Sequence, residues 1–117
     1  MKYVINKQKL YSIAFVPAAM GLMLISIAGA APYAYITNSV SSNISVIDTA
    51  TNQVTATVKV GNCPIGVTIT PDGTKVHVVN YNGGNLGSVS VIDTATKQVT
   101  STVNVGYSPV SFGQFIG

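Results

Sequence analysis

Two aspartates in a repeated stretch are the residues of this chain most able to do chemistry. The stretch VIDTAT occurs at residues 46–51 and again at residues 91–96, and its copies carry Asp48 and Asp93. Two carboxylates within about 10 Å of each other around one substrate could act as a general acid and a general base. The chain gives them little support, since it has three acidic residues, one histidine (His77) and no arginine. We therefore predict no catalytic residues and no enzymatic activity.

A metal centre lacks ligands for the same reason. Zinc and copper sites in proteins need clustered histidine or cysteine side chains. The chain offers one of each, His77 and Cys63, and a lone cysteine cannot form an intrachain disulfide. The sequence predicts no metal site and no cofactor.

The aspartates fit better as turn residues. Each follows a predicted strand, and its carboxylate can accept hydrogen bonds from amides two or three residues further on. We expect Asp48 and Asp93 to form structural turns at equivalent corners. In the stretch TPDG, Pro71 presets φ, Asp72 tolerates the next turn position, and Gly73 accepts the positive φ that closes a hairpin.

The strands that carry these turns belong to an internal repeat. Residues 44–66 match residues 89–111 at a spacing of 45, with 15 of 23 positions identical. Residues 34–38 (AYITN) match residues 76–80 (VHVVN) at a spacing of 42. Valine alternates with polar residues in QVTATVKV and QVTSTVNV, which indicates half-exposed strands. A period of about 40 to 45 residues made of short strands is typical of β-propeller blades.

These motifs carry a family resemblance. YITN, HVVN, both copies of SVIDTAT, VTITPDGTKV, VGNCP and VGYSP resemble the YVTN-type β-propeller repeats of archaeal surface-layer and cell-surface proteins. The resemblance covers residues 33–117 and implies an all-β fold with two four-stranded antiparallel blades, an incomplete propeller, after an N-terminal apolar segment. We place the blades at about residues 33–66 and 67–107. The first has three strand candidates, and a closing strand at residues 108–116 is the candidate for its fourth.

The first 30 residues predict export. Lys2, Lys7 and Lys9 precede an apolar run at residues 10–31 that ends in small residues, as in a secretory signal peptide. The alternative is a retained membrane anchor, because a run of about 20 apolar residues can span a bilayer. In both cases residues 31–117 are expected outside the cell, with membrane contact only through residues 10–31 if they are not cleaved.

The positive charge of the chain does not indicate nucleic-acid binding. The three N-terminal lysines account for the formal net charge of +3, and the remaining three lysines balance the three aspartates. A nucleic-acid interface needs a basic cluster to displace phosphate counterions. We expect no nucleic-acid partner.

The number of blades raises the question of partners. Propellers use about four to eight blades, and two cannot close a ring. Three hypotheses remain open: a homo-oligomer that closes the ring, docking onto a larger propeller or surface-layer protein, and a truncated product.

The leading functional hypothesis is an exported, extracellular, non-enzymatic structural or interaction module of a cell surface or surface layer. Asn43 begins the sequon Asn-Ile-Ser and is a glycosylation candidate. The alternative is a ligand-binding or accessory propeller of a quinoprotein-like or copper redox system, which rests on analogy of fold.

Overall fold

The computed structural model describes residues 32–117, which form an all-β fold of two antiparallel sheets. The first sheet contains β1 (Tyr33–Asn38), β2 (Asn43–Asp48) and β3 (Gln53–Lys59), in that order. The second contains β4 (Pro64–Ile69), β5 (Lys75–Asn80), β6 (Leu86–Asp93) and β7 (Gln98–Tyr107). The predicted signal or anchor segment at residues 1–30 lies outside the described residues. Within the part that the structure describes, no helix is long and apolar enough to cross a membrane.

Both sheets are meanders, in which each strand pairs with the next one along the chain. Valine, isoleucine and threonine dominate the strands because β-branched side chains suit a pleated surface. The register shifts between Val46 and Ile47 in the first sheet and between Val91 and Ile92 in the second. These irregularities lie 45 residues apart, so the repeat in sequence is also a repeat in backbone geometry.

The core lies between the two sheets, since one cluster of buried side chains includes residues of both. The first sheet contributes three of them and the second sheet the other three: Ile44, Val46, Val58, Val76, Val78 and Ile92. Burying one such side chain contributes about 1.5 to 3 kcal/mol. The packed face of each sheet therefore holds the unit together.

Equivalent side chains on the other faces of the sheets remain exposed. Val103 in β7 is 50% exposed, whereas its repeat counterpart Val58 in β3 is 7% exposed. Ile36 in β1 is 47% exposed, whereas its counterpart Val78 in β5 is fully buried. The exposed face of each sheet therefore corresponds, by the internal repeat, to the packed face of the other sheet.

The structure differs from two sequence-based expectations. The second sheet begins at Pro64 and not at Val67, because a proline can occupy the first position of a strand and a register shift between Pro64 and Gly66 absorbs the irregularity. The first sheet has three strands, and residues 108–116 form no strand. This tail, residues 108–117, is held on the second sheet, where Gln114 bonds to Thr68.

Candidate functional site

The repeated aspartates lie at corresponding corners of the two sheets. Oδ1 of Asp48 accepts the backbone N–H groups of Ala50 at 2.8 Å and Thr51 at 3.3 Å. Oδ1 of Asp93 accepts those of residues 95 and 96 at 2.9 and 3.0 Å. The bond from the N–H of Thr96 is the main reason that the pKa of the Asp93 carboxyl lies below its usual value. Both carboxylates are engaged by their own turns.

The third aspartate closes the hairpin between β4 and β5. The N–H of Gly73 donates to the carbonyl oxygen of Thr70 at 2.8 Å across Pro71 and Asp72, and Gly73 has a φ of 72°. The Thr70 hydroxyl donates to Asp72 Oδ1 at 2.6 Å, and the backbone N–H of Thr74 donates at 3.0 Å. These bonds stabilise the ionised carboxylate and lower the pKa of Asp72 from its usual 3.8 to about 2.

This low pKa predicts an acid-sensitive hairpin. Because the folded pKa is depressed, the carboxylate stabilises the fold above about pH 4, and this contribution is lost as the pH falls through about 2. We expect the melting temperature of the wild-type chain to fall more steeply over this window than that of the Asp72→Asn variant. Thermal melts by circular dichroism at a series of pH values would measure the difference. Parallel curves for the two chains would contradict the assignment.

Two asparagines that are not among the predicted site residues bond to side chains of the neighbouring strand, whereas the aspartates bond only within their own turns. The side-chain amide of Asn80, at the end of β5, donates to the hydroxyls of Ser88 at 3.0 Å and Ser90 at 2.9 Å. Asn38, at the end of β1, donates to Ser45 Oγ at 2.9 Å and to Asn43 Oδ1 at 2.8 Å. The signal was present in the sequence, since both matched stretches end in asparagine.

The two asparagines differ in how far they are buried. Asn80 is fully buried, and Gly61, in the connection between the sheets, lies directly against its side chain. Asn38 is only partly buried, and Gly106, the repeat counterpart of Gly61, has open space where a side chain would begin. Gly61 and Asn80 thus contact each other, whereas their repeat counterparts, Gly106 at the end of β7 and Asn38 in the first sheet, do not.

An open cleft of about 290 Å³ lies between β1, β4 and the tail and is a candidate binding site. Tyr33 and Tyr35 line it opposite Thr68 and Gln114. Burial, with a smaller effect of Tyr33, raises the pKa of Tyr35, whose hydroxyl has no hydrogen-bond partner among the described residues. The Nζ of Lys97 lies 4.3 Å from the centre of the Tyr33 ring, within cation–π range.

The chemistry of the cleft favours contact over reaction. It is lined by aromatic, aliphatic and amide groups, with no aspartate, histidine or cysteine beside the tyrosines. Over residues 32–117, no three histidine, cysteine or acidic side chains come together as metal ligands. The cleft can hold an apolar or hydrogen-bonding group.

The glycosylation candidate lies at the start of a strand. Asn43 is the first residue of β2, is partly buried, and its Oδ1 accepts the bond from Asn38. Its own Nδ2 donates to the carbonyl oxygen of Ser41 at 3.4 Å. Modification of Asn43 stays a prediction, and it would replace one of the two hydrogens on this Nδ2 and leave the other able to donate.

Comparison with solved structures finds similarity to part of a larger protein. The chain is similar to hydrazine synthase of Kuenenia stuttgartiensis, with a TM-score of 0.61 and 32% sequence identity. The match covers 66% of this chain and 21% of that chain, so this chain corresponds to about a fifth of the larger protein's length. No protein-family model matches the chain. No curated protein matches it either.

Proposed function

We propose that residues 32–117 form two β-propeller blades that serve as a non-enzymatic structural or interaction module of an exported, cell-surface protein. The proposal joins the basic and apolar start of the sequence, which is typical of export, to the repeated sheets that follow it. In this interpretation the sheets act through the surfaces that they present to neighbours. YVTN-type repeats of surface-layer proteins remain the family that the motifs resemble.

The observation that carries the proposal is the use of every carboxylate in the chain. Asp48, Asp72 and Asp93 are its only acidic residues, and each accepts hydrogen bonds from its own turn. A general acid or base must instead have its carboxylate within reach of a substrate proton. With the acids committed to turns, the exposed apolar positions on the sheets are the features left to support a function.

The blade interpretation is supported by the way in which the sheets stack. The three-stranded and the four-stranded meander pack against each other through one face each. Residues on the exposed face of either sheet are the repeat counterparts, 42 or 45 residues away, of residues on the packed face of the other sheet. Stacked meanders with this repetition are the building plan of propellers, in which each blade contacts the next.

A second candidate is an accessory propeller within a redox enzyme assembly of the quinoprotein-like or copper type. The likeness to hydrazine synthase favours it, because a synthase is an enzyme. The matched segment is a small part of that chain, and a segment can provide architecture without providing chemistry. In this alternative, residues 32–117 would hold a place in the assembly and a partner would supply the redox centre.

Substitution at a corner separates structural from chemical roles. We expect Asp48→Ala to lower the free energy of unfolding by about 1 kcal/mol through lost turn hydrogen bonds, and Asp93→Ala to act in the same direction. Asp48→Asn is the matched control, since asparagine keeps the acceptor that forms the turn but removes the charge. Urea unfolding would measure the three variants.

Two results would contradict the non-enzymatic module. One is a loss of binding or activity in Asp48→Asn at unchanged stability, which would give the carboxylate a chemical role. The other is stoichiometric copper or zinc in the purified full chain, measured by inductively coupled plasma mass spectrometry. Metal-free protein that keeps its fold supports the module.

A further inference from the structure

Among residues 32–117, no strand pairs with the outer edge of β1, whereas the corresponding edge of its counterpart in the second sheet is paired. By the internal repeat β1 corresponds to β5, and β5 is paired on both sides, with β4 and with β6. Within the described residues β1 is paired with β2 alone. A strand with an unpaired edge presents free N–H and C=O groups that another strand can bind. The first sheet is thus open at the position that β4 fills in the second.

The tail is the repeat counterpart of β4, although it forms no strand in this structure. Residues 105–109 (VGYSP) match residues 60–64 (VGNCP), after which the tail continues as β4 does. The backbone also enters both segments in the same way, since Cys63 has a φ of 51° and Ser108 a φ of 49°. The aligned Pro64 and Pro109 follow. The tail therefore starts like a fourth strand but pairs with no sheet.

At Ser111 the tail lies on the side of the second sheet that faces away from the first. The carbonyl oxygen of Ser111 lies against the open side of Gly66. Gly66 and Val67 point to opposite faces of β4, as successive strand residues do, and Val67 packs on the core between the sheets. Further along, Gly113 and Gln114 line the cleft beside Tyr33 and Tyr35 of the first sheet, but the tail forms no strand there and Gln114 bonds to the second sheet, at Thr68.

We propose that the tail of one chain adds to the free edge of β1 in a second copy of the chain, as the fourth strand of that copy's first sheet. The proposal deepens the interaction module and rests on the two sheets being repeated blades. The pairs Pro64↔Asn80, Val67↔Val78 and Thr68↔His77 in the second sheet give its register. Shifted by the repeat spacings, they place Pro109 opposite Asn38, Phe112 opposite Ile36, and Gly113 opposite Tyr35 of the other copy.

Exposure of apolar side chains agrees with this register. Phe112 is 82% exposed and Ile36 is 47% exposed, and they are the two residues that the register brings face to face. Their counterparts Val67 and Val78 are neighbours across β4 and β5, and Val78 is fully buried there. Pairing would remove both exposed side chains from water, which supplies a driving force for association.

A second copy also fits the bare faces of the sheets, which an unrelated strand would not. Val103 on β7 would be covered as Val58 is covered within the chain. Gly106 would meet Asn38 of the other copy as Gly61 meets Asn80. One head-to-tail arrangement would thus pair the tail with the β1 edge and bring Gly106 of one copy against Asn38 of the next. Such a heterologous contact can close into a ring or continue as a filament.

The test is disulfide cross-linking between two full-length variants in a Cys63→Ser background. Serine is the natural residue at the equivalent position 108, so the background is expected to fold. One variant carries Ile36→Cys and the other carries Phe112→Cys, and the two are mixed under mild oxidation. We expect a disulfide-linked dimer in the mixture at least about fivefold above either variant alone, because paired strand positions bring sulfurs within bonding distance.

The matched control replaces Ile36→Cys by Val40→Cys. Val40 lies in the turn just after β1 and is 98% exposed, so its thiol would collide with Phe112→Cys more freely than one at Ile36. Selective cross-linking at Ile36 supports the register. Equal yields at Val40 and Ile36, or no dimer with either, would overturn the proposal.

A single chain carrying both Ile36→Cys and Phe112→Cys tests whether the tail instead folds back on its own β1. A monomeric disulfide as the sole product, detected by mass spectrometry, would overturn the pairing with a second copy, whereas linked multimers support it. Neither result depends on metal content or on the Asp48 variants. Failure of the strand pairing and failure of the proposed function are therefore distinguishable.

Discussion

Replacing Ile92 by alanine is expected to lower the free energy of unfolding by about 2 to 4 kcal/mol. Ile92 lies in β6, is fully buried, and belongs to the cluster that both sheets share. Removing its outer carbons loses the transfer free energy of a buried side chain and leaves a cavity that packed neighbours fill only in part. For a unit of this size, such a loss is a large share of total stability. Chemical denaturation followed by circular dichroism would measure it.

The internal repeat provides the control for this substitution. Ile47 occupies the equivalent position in β2 but is only partly buried, because its face of the first sheet is not covered by the second. At protein concentrations where the chain is dissociated, Ile47→Ala should cost clearly less than Ile92→Ala. Equal losses at the two positions would contradict the placement of the core between the sheets.

Replacing Gly61 by alanine is the second substitution with a large expected effect. A Cβ at this position would lie 2.6 Å from Cγ and 2.7 Å from Nδ2 of Asn80, well inside contact distance. Asn80 cannot easily move away, because it is buried and its amide is bonded to Ser88 and Ser90. Overpacking of this kind costs about 1 to 3 kcal/mol. Thermal or urea unfolding of Gly61→Ala would check the loss.

Gly106→Ala is the matched control for Gly61→Ala. A Cβ at Gly106 meets no atom within 4 Å, so the dissociated chain should keep its unfolding free energy. The same variant should weaken self-association, if Asn38 of a second copy lies there as proposed. Destabilisation of the dissociated chain by Gly106→Ala as large as that by Gly61→Ala would argue against a steric cause.

Much of the fold follows from local signals that survive in a single sequence. Alternation of valine and threonine placed β3 and β7, and the two matched copies of VIDTAT placed the ends of β2 and β6 at Asp48 and Asp93. These features depend on side-chain direction along a strand and on turn chemistry, both of which are set by near neighbours. The all-β class and the antiparallel pairing follow from them.

The remaining features depend on contacts between segments that are distant in the sequence. Asn80 is buried against Gly61 and donates hydrogen bonds to two serines on β6. No pattern in the sequence next to Asn80 indicates the contact with Gly61. The start of β4 at Pro64 follows from pairing with Asn80 across the sheet. Residues 105–109 repeat the sequence that leads into β4, but whether the segment that follows pairs with a sheet edge depends on residues that are distant in the sequence.

The unequal burial of equivalent residues links the fold to the proposed function. If both faces of each sheet were buried within the chain, no further protein surface would be needed to cover them. Here Ile36 and Val103 stay exposed while Val78 and Val58 are covered. Repeat units of this kind bury a continuous core only when further units stack on them. The exposed faces and the free β1 edge are therefore the surfaces through which we propose that the chain acts.

The most direct test of this account is the mass of the full-length chain in solution, by size-exclusion chromatography with light scattering in a mild detergent. Strand addition between copies predicts an assembly of at least two chains, either a closed ring of defined mass or a filament that grows with concentration. Ile36→Lys should shift it to the monomer, because a charge at the β1 edge opposes strand addition. A wild-type monomer at all concentrations, or an assembly that Ile36→Lys leaves unchanged, would contradict the account.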